Sequence, residues 1–233
     1  DSWEAAVAMP DEDDDITFTA GSDASTVDAG WGGTCLSLTV SGYTGQITLA
    51  RSLTVTNDCT NDTGSIDMNS QTVVVGGDLT NIATMTMSSG TLILTGDWQN
   101  DGEFEAGNGT VVFAGTDQTI LGSTTFYNLT KTFSSGAEET LTFEGAQTQT
   151  VTGLLTLSGY EADGIHYHLN LRSNSTGATW YLDPQGETSL DIIDVRDCYN
   201  VDYETSRTLL VGAASAAAVD SGLNYGWFYQ YEW

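Results

Sequence analysis

Basic residues are nearly absent from this chain. Its 233 residues include 5 Lys and Arg against 32 Asp and Glu, which gives a formal net charge of −27. Proteins that bind nucleic acid or anionic lipid contact the phosphates through clustered Lys and Arg. The composition therefore excludes nucleic acid as a direct partner and disfavours anionic lipids and polyanionic sugars. Cations such as calcium stay open as ligands, although a negative surface also serves solubility alone.

The chain also lacks long apolar runs and helical patterning. No stretch of about 20 apolar residues occurs, so the sequence predicts no membrane span. No segment repeats its apolar residues with a helical period, and the only prolines are Pro10 and Pro184, so few backbone donors are lost from a β ladder. With 39% hydrophobic residues the chain can still bury a core, so we expect folded β structure.

Cysteine is scarce as well. Cys35, Cys59 and Cys198 include no Cys-x-x-Cys pair, so a structural zinc site is not expected. In an oxidising compartment Cys35 and Cys59 would form the natural disulfide. Cys198 would then remain a buried thiol or make an intermolecular link, and the sequence does not settle the connectivity.

What the chain does contain is a repeated sequence motif, here called the phrase. It begins with Thr or Ser, ends with Gly, and has apolar residues at its second and fourth positions. Gly77, Gly96 and Gly115 close three successive copies and stand 19 residues apart, and Gly145 follows after 30. A strand that ends in a turn residue and recurs about every 20 residues is the pattern of a solenoid. The five copies occupy residues 37–42, 72–77, 91–96, 110–115 and 140–145.

Aligning these copies on their glycines predicts ladders of side chains. The two apolar positions of each copy are two residues apart, so both face the same side of a strand. A β-sandwich also has short strands and frequent turns, but it would not keep this phrase in register at a fixed step. We therefore predict an all-β parallel β-solenoid. One inward column would hold Val73, Leu92, Val111 and Leu141, and the other Val75, Leu94, Phe113 and Phe143.

Several segments carry a family resemblance. They read Gly-Asp-Trp-Gln-Asn at 96–100, Gly-Thr-Val-Val-Phe at 109–113, Gln-Thr-Ile at 118–120 and Thr-Phe-Tyr-Asn-Leu at 125–129, with closing segments at 194–198, 220–222 and 226–228. These segments resemble the rungs of right-handed parallel β-helix modules in large bacterial surface proteins of the adhesin type. The resemblance implies a right-handed β-helix and a surface location, and it supplies no catalytic residues.

The sequence divides into three segments. Residues 1–15 are predicted as an acidic N-terminal arm, residues 16–222 as the parallel β-helix, and residues 223–233 as an aromatic C-terminal cap or assembly segment. Clustered aromatic side chains either cover the last turn or contact another subunit, and a head-to-tail contact would generate open fibres. The predicted assembly residues are Trp3, Trp227, Phe228, Tyr229, Tyr231 and Trp233.

Calcium is the cofactor that the sequence suggests, without a strict motif. Two segments offer dense oxygen ligands of the kind that calcium prefers, although a solvated acidic arm explains the first of them equally well. The candidate ligands are Asp11, Asp13, Asp15, Asp58 and Asp62. Four Asn-x-Ser/Thr sequons, at Asn61, Asn108, Asn128 and Asn174, are candidate glycosylation sites in a secreted protein.

No catalytic motif stands out. Asp191, Asp194 and Asp197 could supply the paired acids of glycoside hydrolysis, and they fit a solvated face equally well. His166 and His168 would share one face of a strand, which suits metal binding, and two exposed polar positions explain them too. We therefore expect no enzymatic activity.

The sequence predicts a non-enzymatic structural or adhesive β-helix, extracellular or at the cell surface. Head-to-tail self-association into a surface filament, or contact with other surface domains, is a further expectation. The alternative is a carbohydrate-binding or polysaccharide-degrading β-helix protein, in which outward-facing Trp98, Tyr127 or Trp180 would stack on glycans.

Overall fold

The structure, a computed structural model, describes residues 10–28, 30–201 and 218–227. Across these ranges the chain is all-β, with no α-helix, and its parallel sheets stack as a β-solenoid of about nine turns. The predicted fold class is therefore confirmed. Nothing helical in the described ranges is long and apolar enough to cross a membrane.

The strands are two to five residues long, as expected where turn-forming residues interrupt every apolar pair. The chain comprises two compact units, a first unit, Asp1–Val112, and a second unit, Phe113–Trp233. The strands of the first unit are β1 Asp15–Phe18, β2 Ser25–Val27, β3 Thr34–Cys35, β4 Ser37–Val40, β5 Gln46–Leu49, β6 Leu53–Val55, β7 Cys59–Asn61, β8 Ser65–Asp67, β9 Thr72–Val75, β10 Leu79–Asn81, β11 Thr84–Thr86, β12 Thr91–Leu94, β13 Trp98–Asn100 and β14 Glu103–Glu105.

Strand β15, Thr110–Phe113, includes the boundary between the units. The strands of the second unit are β16 Gln118–Leu121, β17 Thr124–Phe126, β18 Asn128–Thr132, β19 Glu139–Phe143, β20 Thr148–Val151, β21 Leu154–Ser158, β22 Tyr160–Ala162, β23 Ile165–Tyr167, β24 Leu169–Ser173, β25 Trp180–Pro184, β26 Glu187–Asp191, β27 Ile193–Val195, β28 Cys198–Asn200 and β29 Val219–Asp220.

In the first unit, three parallel sheets surround one core. Their strand orders are β1-β4-β7-β10-β13, β2-β5-β8-β11-β14 and β3-β6-β9-β12. Val73 pairs in register with Leu92, and Val75 with Leu94, so these four residues form the predicted inward columns. All four are buried, and the neighbouring Leu53 and Val55 of β6 extend the same columns.

The fifth copy of the phrase lies in a different sheet from the one that its alignment predicted. Strand β19 pairs with β16 and β24, so Leu141 stands beside Gln118 and Leu171 and not in the column of Val73 and Leu92. Leu141 and Phe143 are buried, as expected. The phrase specifies a strand with two inward apolar positions before a tight turn, and any face of a solenoid can use such a strand.

In the second unit the parallel orders are β16-β19-β24-β27-β29, β15-β18-β21-β26 and β17-β20-β25-β28. A short antiparallel hairpin, β22–β23, interrupts the winding between β21 and β24. Asp163 and Gly164 form its turn with φ of 53° and 76°, as a two-residue hairpin of right-handed twist requires. This insertion lengthens the step from β19 to β24. The 30-residue interval before Gly145 has another origin, because the strands that end near Gly115 and Gly145, β15 and β19, belong to different sheets.

Aromatic side chains fill the last turns of the second unit. The rings of Phe143 and Trp180 stack with centroids 3.9 Å apart and an interplanar angle of 4°. Trp227 lies 6.3 Å from Trp180 and has no exposed surface. Trp227 is therefore a core residue, and its predicted role as an assembly contact is wrong.

Candidate binding surface and buried polar cluster

Three tyrosines form an outward row on the second unit, which we call the tyrosine row: Tyr181 of β25, Tyr199 of β28 and Tyr225. Period-two alternation turns them outward because Trp180 and Leu182 of β25 point into the core. Tyr181 pairs in register with Tyr199, and Tyr199 forms a parallel bridge with Tyr225.

The rings of the tyrosine row lie at the spacing of the strands that carry them. The centroids of Tyr181 and Tyr199 are 5.9 Å apart, and those of Tyr199 and Tyr225 are 4.9 Å apart with an interplanar angle of 7°. Tyr225 is 47% exposed. A row of half-exposed phenol rings offers apolar faces and hydroxyl edges together, the combination that favours tyrosine at contact surfaces.

A second polar surface surrounds the β22–β23 hairpin. His166 Nε2 lies 3.5 Å from Glu161 Oε2, and His168 Nδ1 lies 3.3 Å from Glu138 Oε1. Asn170 Nδ2 donates to the other oxygen of Glu138 at 3.2 Å. The Asn170 hydrogen bond, and after it His168, lowers the pKa of Glu138. The two histidines therefore engage different glutamates.

A buried polar cluster occupies the core of the second unit: Gln118 of β16, Lys131 of β18 and Glu139 of β19. Lys131, the only lysine of the chain, has a fully buried side chain, and that of Glu139 is 8% exposed. Lys131 Nζ lies 2.9 Å from Glu139 Oε2 and 3.3 Å from Gln118 Oε1. It also donates to the carbonyl oxygens of Gly115 and Thr116.

Each member of the cluster takes a position that is apolar elsewhere in its column. Lys131 pairs with Leu157, and Glu139 pairs with Leu169. Gln118 pairs with Leu141. The cluster was not predicted from the sequence. Lys131 lies two residues after the buried Leu129, and Glu139 lies two residues before the buried Leu141, so the alternation of each strand places the charged side chain on the core face.

The predicted calcium ligands do not converge. Asp11, Asp13 and Asp15 are exposed, and the Asp58 carboxylate accepts the backbone N–H of Asp78 at 2.9 Å. Asp62 is half-buried. Within the described ranges, no group of three His, Cys, Asp or Glu side chains could hold a metal ion. Calcium binding thus remains a prediction from composition.

The acidic cluster near the end of the second unit is divided among separate partners. Asp194 Oδ2 accepts from Arg172 Nη2 at 2.6 Å. Asp197 is buried and accepts the backbone N–H of Gly177, while Asp191 is exposed. These contacts are those of a structural ion pair and a turn hydrogen bond.

All three cysteines are free thiols in the structure, so the predicted Cys35–Cys59 disulfide is not present. Burial raises the pKa of Cys35 to about 11 and that of Cys59 to about 12. Burial also raises the pKa of Cys198. Each thiol fills an inward strand position as a small apolar side chain would.

One predicted glycosylation site is wrong. Asn61 is fully buried, and its Nδ2 donates to Asn81 Oδ1 at 2.9 Å. Asn81 Nδ2 donates in turn to Asn100 Oδ1 at 2.8 Å, which makes an asparagine ladder through the first unit. The ladder ends at Asn61 because Val40 is the next residue in register. A glycan has no access to Asn61 in this fold.

The other three sequons differ in exposure. Asn108 and Asn174 are exposed, whereas Asn128 is half-buried and its Oδ1 accepts the backbone N–H of Leu154 at 2.8 Å. Glycosylation at these positions stays a prediction. Of the predicted assembly residues, Trp3, Phe228, Tyr229, Tyr231 and Trp233 lie outside the described residues.

The aromatic residues expected to stack on sugars are mostly internal. Trp98 and Trp180 have no exposed surface, so they are core residues, and that expectation is wrong for both. Tyr127 is half-buried. The outward tyrosine row, which the sequence analysis did not single out, takes their place as the aromatic surface. No family model, curated protein or solved structure significantly matches the chain.

Proposed function

We propose that the chain is a non-enzymatic structural and adhesive module of an extracellular or cell-surface protein, with the tyrosine row as its contact surface. The observation that supports this proposal is the outward, in-register stacking of Tyr181, Tyr199 and Tyr225. Backbone pairing between the parallel strands fixes the spacing of these three rings, and the core side chains point the other way. The surface is therefore rigid before any partner binds, which lowers the entropy that binding costs.

The charge of the chain narrows the class of partner. A formal net charge of −27 repels anionic surfaces, and two copies of the chain also repel each other, so contact between copies should strengthen as added salt screens the charge. A second copy of the chain, joined head to tail into a filament, is the partner that we expect. The tyrosine row crosses successive strands and ends at Tyr225, so a head-to-tail contact would cover this end of the row and add aromatic area to the interface.

Electron microscopy and sedimentation of the purified full chain test this assembly. We expect concentration-dependent particles longer than one copy, and we expect the triple variant Tyr181→Ser, Tyr199→Ser, Tyr225→Ser to lose them. Tyr127→Ser is the matched control, since Tyr127 is a half-buried tyrosine of the same unit outside the row. Monodisperse single copies at high concentration, with and without calcium, would contradict the proposal.

Carbohydrate binding is the second candidate, and the tyrosine row is again the observation that favours it. A flat aromatic face can stack on the apolar face of a neutral sugar ring. Tryptophan fluorescence is a poor reporter, because Trp98, Trp180 and Trp227 are buried. A glycan array probed with the wild type, the triple tyrosine variant and Tyr127→Ser tests the idea. Binding to neutral glycans that only the triple variant loses would support it, and no binding on the array would count against it.

A further inference from the structure

The buried polar cluster contains the parts of an amide-forming reaction. Lys131 Nζ is an amine nitrogen 3.3 Å from the side-chain oxygen of Gln118, and the carboxamide carbon lies one bond beyond that oxygen. Glu139 Oε2, 2.9 Å from the same nitrogen, is a proton acceptor. An amine, a carboxamide and a carboxylate thus meet in a space that excludes water. We propose that Lys131 and Gln118 form an intramolecular amide cross-link, with Glu139 transferring the protons.

The carboxamide of Gln118 is polarised for attack. The backbone N–H of Gly115 donates to Gln118 Oε1 at 2.8 Å, the same oxygen that faces Lys131. When the amine nitrogen adds to the carboxamide carbon, negative charge develops on that oxygen. A fixed backbone donor in a water-excluded site stabilises such charge more than water does. Gly115 N–H and Lys131 Nζ both contact the oxygen on which this charge develops, and Lys131 Nζ reaches the adjoining carbon by a small shift within the cluster.

Glu139 provides the proton transfers. Its Oε2 accepts a proton from the Lys131 ammonium, which leaves a neutral amine beside a neutral acid, the pair that a low-dielectric interior tolerates best. The amine forms a C–N bond to Gln118, and the tetrahedral carbon holds both nitrogens. Glu139 moves a proton from the incoming nitrogen to the outgoing one, the bond to the amide nitrogen breaks, and Glu139 gives the proton that it first accepted to the released ammonia. The net change converts an ammonium group and a carboxamide into a secondary amide and an ammonium ion.

Burial favours the reaction in two ways. Gln118 is 1% exposed and Lys131 is fully buried, so water does not compete with the amine for the carboxamide carbon. The strands hold both reacting groups in contact, which gives a high effective concentration. The small product, ammonia, diffuses out of the protein, so the reverse reaction is slower than the forward reaction. The resulting bond would join β16 to β18 across the core, closing that turn of the solenoid covalently.

Intact mass spectrometry of the full chain tests the proposal directly. We expect the wild-type protein to weigh less than its sequence by one molecule of ammonia. Trypsin should not cleave after Lys131 even in denaturant, so residues 52–172 should remain one peptide, and its fragmentation should show an internal loop that joins residues 118 and 131. An amine-reactive label applied to the denatured protein should modify only the N-terminal amine, since Lys131 is the only lysine.

Variants separate the cross-link from a structural ion pair. Gln118→Met removes the carboxamide but keeps the contact between Lys131 and Glu139, and Glu139→Gln removes the proton acceptor. Both should have the full sequence mass while circular dichroism shows them folded. Gln149→Met changes another buried glutamine of the same unit and should keep the loss of ammonia.

Two results would overturn the proposal. In the first, the folded wild type has its full sequence mass and trypsin cleaves after Lys131. In the second, the missing ammonia maps to a cyclised asparagine, such as Asn108 before Gly109, and not to the pair 118 and 131. Either result is read on the wild-type chain, so it does not depend on whether a variant folds. Neither result bears on the tyrosine row, whose role is tested separately.

Discussion

In the first unit the buried polar side chains of the described residues are Asn61, Asn81 and Asn100, in register on successive strands, whereas those of the second unit include a charged cluster, Gln118, Lys131 and Glu139, drawn from three different strands. An asparagine amide both donates and accepts, so one ladder can repeat at every turn of a regular coil. A lysine cannot stack on a lysine without repulsion, so the charged cluster occurs once. A buried position that recurs in register at every turn therefore favours neutral side chains that hydrogen-bond to copies of themselves. A buried ion pair fits where the turns are irregular.

The largest effect that we expect comes from breaking the charged cluster. In the Gln118→Met background, which cannot form the cross-link, Lys131→Met leaves the Glu139 carboxylate buried without its cation, which should lower the free energy of unfolding by about 3–5 kcal/mol. Adding Glu139→Leu removes both charges and should recover most of this loss. Urea denaturation at neutral pH measures both. A Lys131→Met variant as stable as its Gln118→Met parent would mean that the ion pair is not buried as described.

A smaller effect is expected from breaking the asparagine ladder. Asn81→Ala removes the donor to Asn100 and the acceptor for Asn61, so it leaves buried amide groups unpaired and should cost about 2–3 kcal/mol. Asn108→Ala is the matched control: its side chain is exposed, and it should change stability by about 0.5 kcal/mol or less. Equal losses for the two variants in urea denaturation would contradict the ladder.

Removing the Glu138 carboxylate beside the β22–β23 hairpin should have a still smaller effect on the free energy of unfolding, and this effect should depend on pH. The folded-state pKa of Glu138 is lowered, so its ionised form adds stability above the ordinary glutamate pKa of about 4.3. That contribution is lost as the pH falls through the lowered folded-state value. Glu138→Gln should therefore be less stable than the wild type at neutral pH, and the difference should shrink in acid. Because Glu138 is 52% exposed, salt should weaken the effect. A difference that grows as the pH falls would contradict this assignment.

The thiols should show the smallest effect, which is no reaction in the native state. Burial and the raised pKa values of Cys35 and Cys59 leave little thiolate at pH 8. A colorimetric thiol reagent should therefore modify no cysteine in the native chain and three in denaturant, after purification without reductant. One reactive cysteine in denaturant would instead show that two of the three had formed a disulfide.

Much of the fold could be predicted from the sequence because the first unit repeats at a nearly constant step. Val73 and Leu92 share a strand face and the 19-residue step, and they pair in register as the alignment predicted. The alignment failed at Leu141, since its local phrase is the same on every face of the coil and only the length of the preceding turn identifies the sheet. The hairpin had a signal in Asp163-Gly164, the dipeptide typical of a tight hairpin turn.

The candidate sites were harder to predict. Tyr181 and Tyr199 meet only when β25 pairs with β28, so their stacking depends on a register that local sequence does not specify. The burial of Lys131 and Glu139 was easier to predict, because both residues alternate with leucines. Their contact with each other was not, because it depends on the path of the chain between β18 and β19. Alternation therefore predicts which side chain is buried, while topology decides which one it meets.

Disulfide trapping across β16 and β19 tests the central claim most directly, since that register places Gln118 inward beside the Glu139 strand. Thr119 and Thr142 are outward partners in register, and neighbouring strands bring such pairs within disulfide range. In a background with the native cysteines replaced by alanine, Thr119→Cys with Thr142→Cys should oxidise to one intramolecular disulfide. Thr119→Cys with Thr140→Cys, two residues out of register, should stay reduced. A disulfide in the second pair and none in the first would contradict the register and the core cluster built on it.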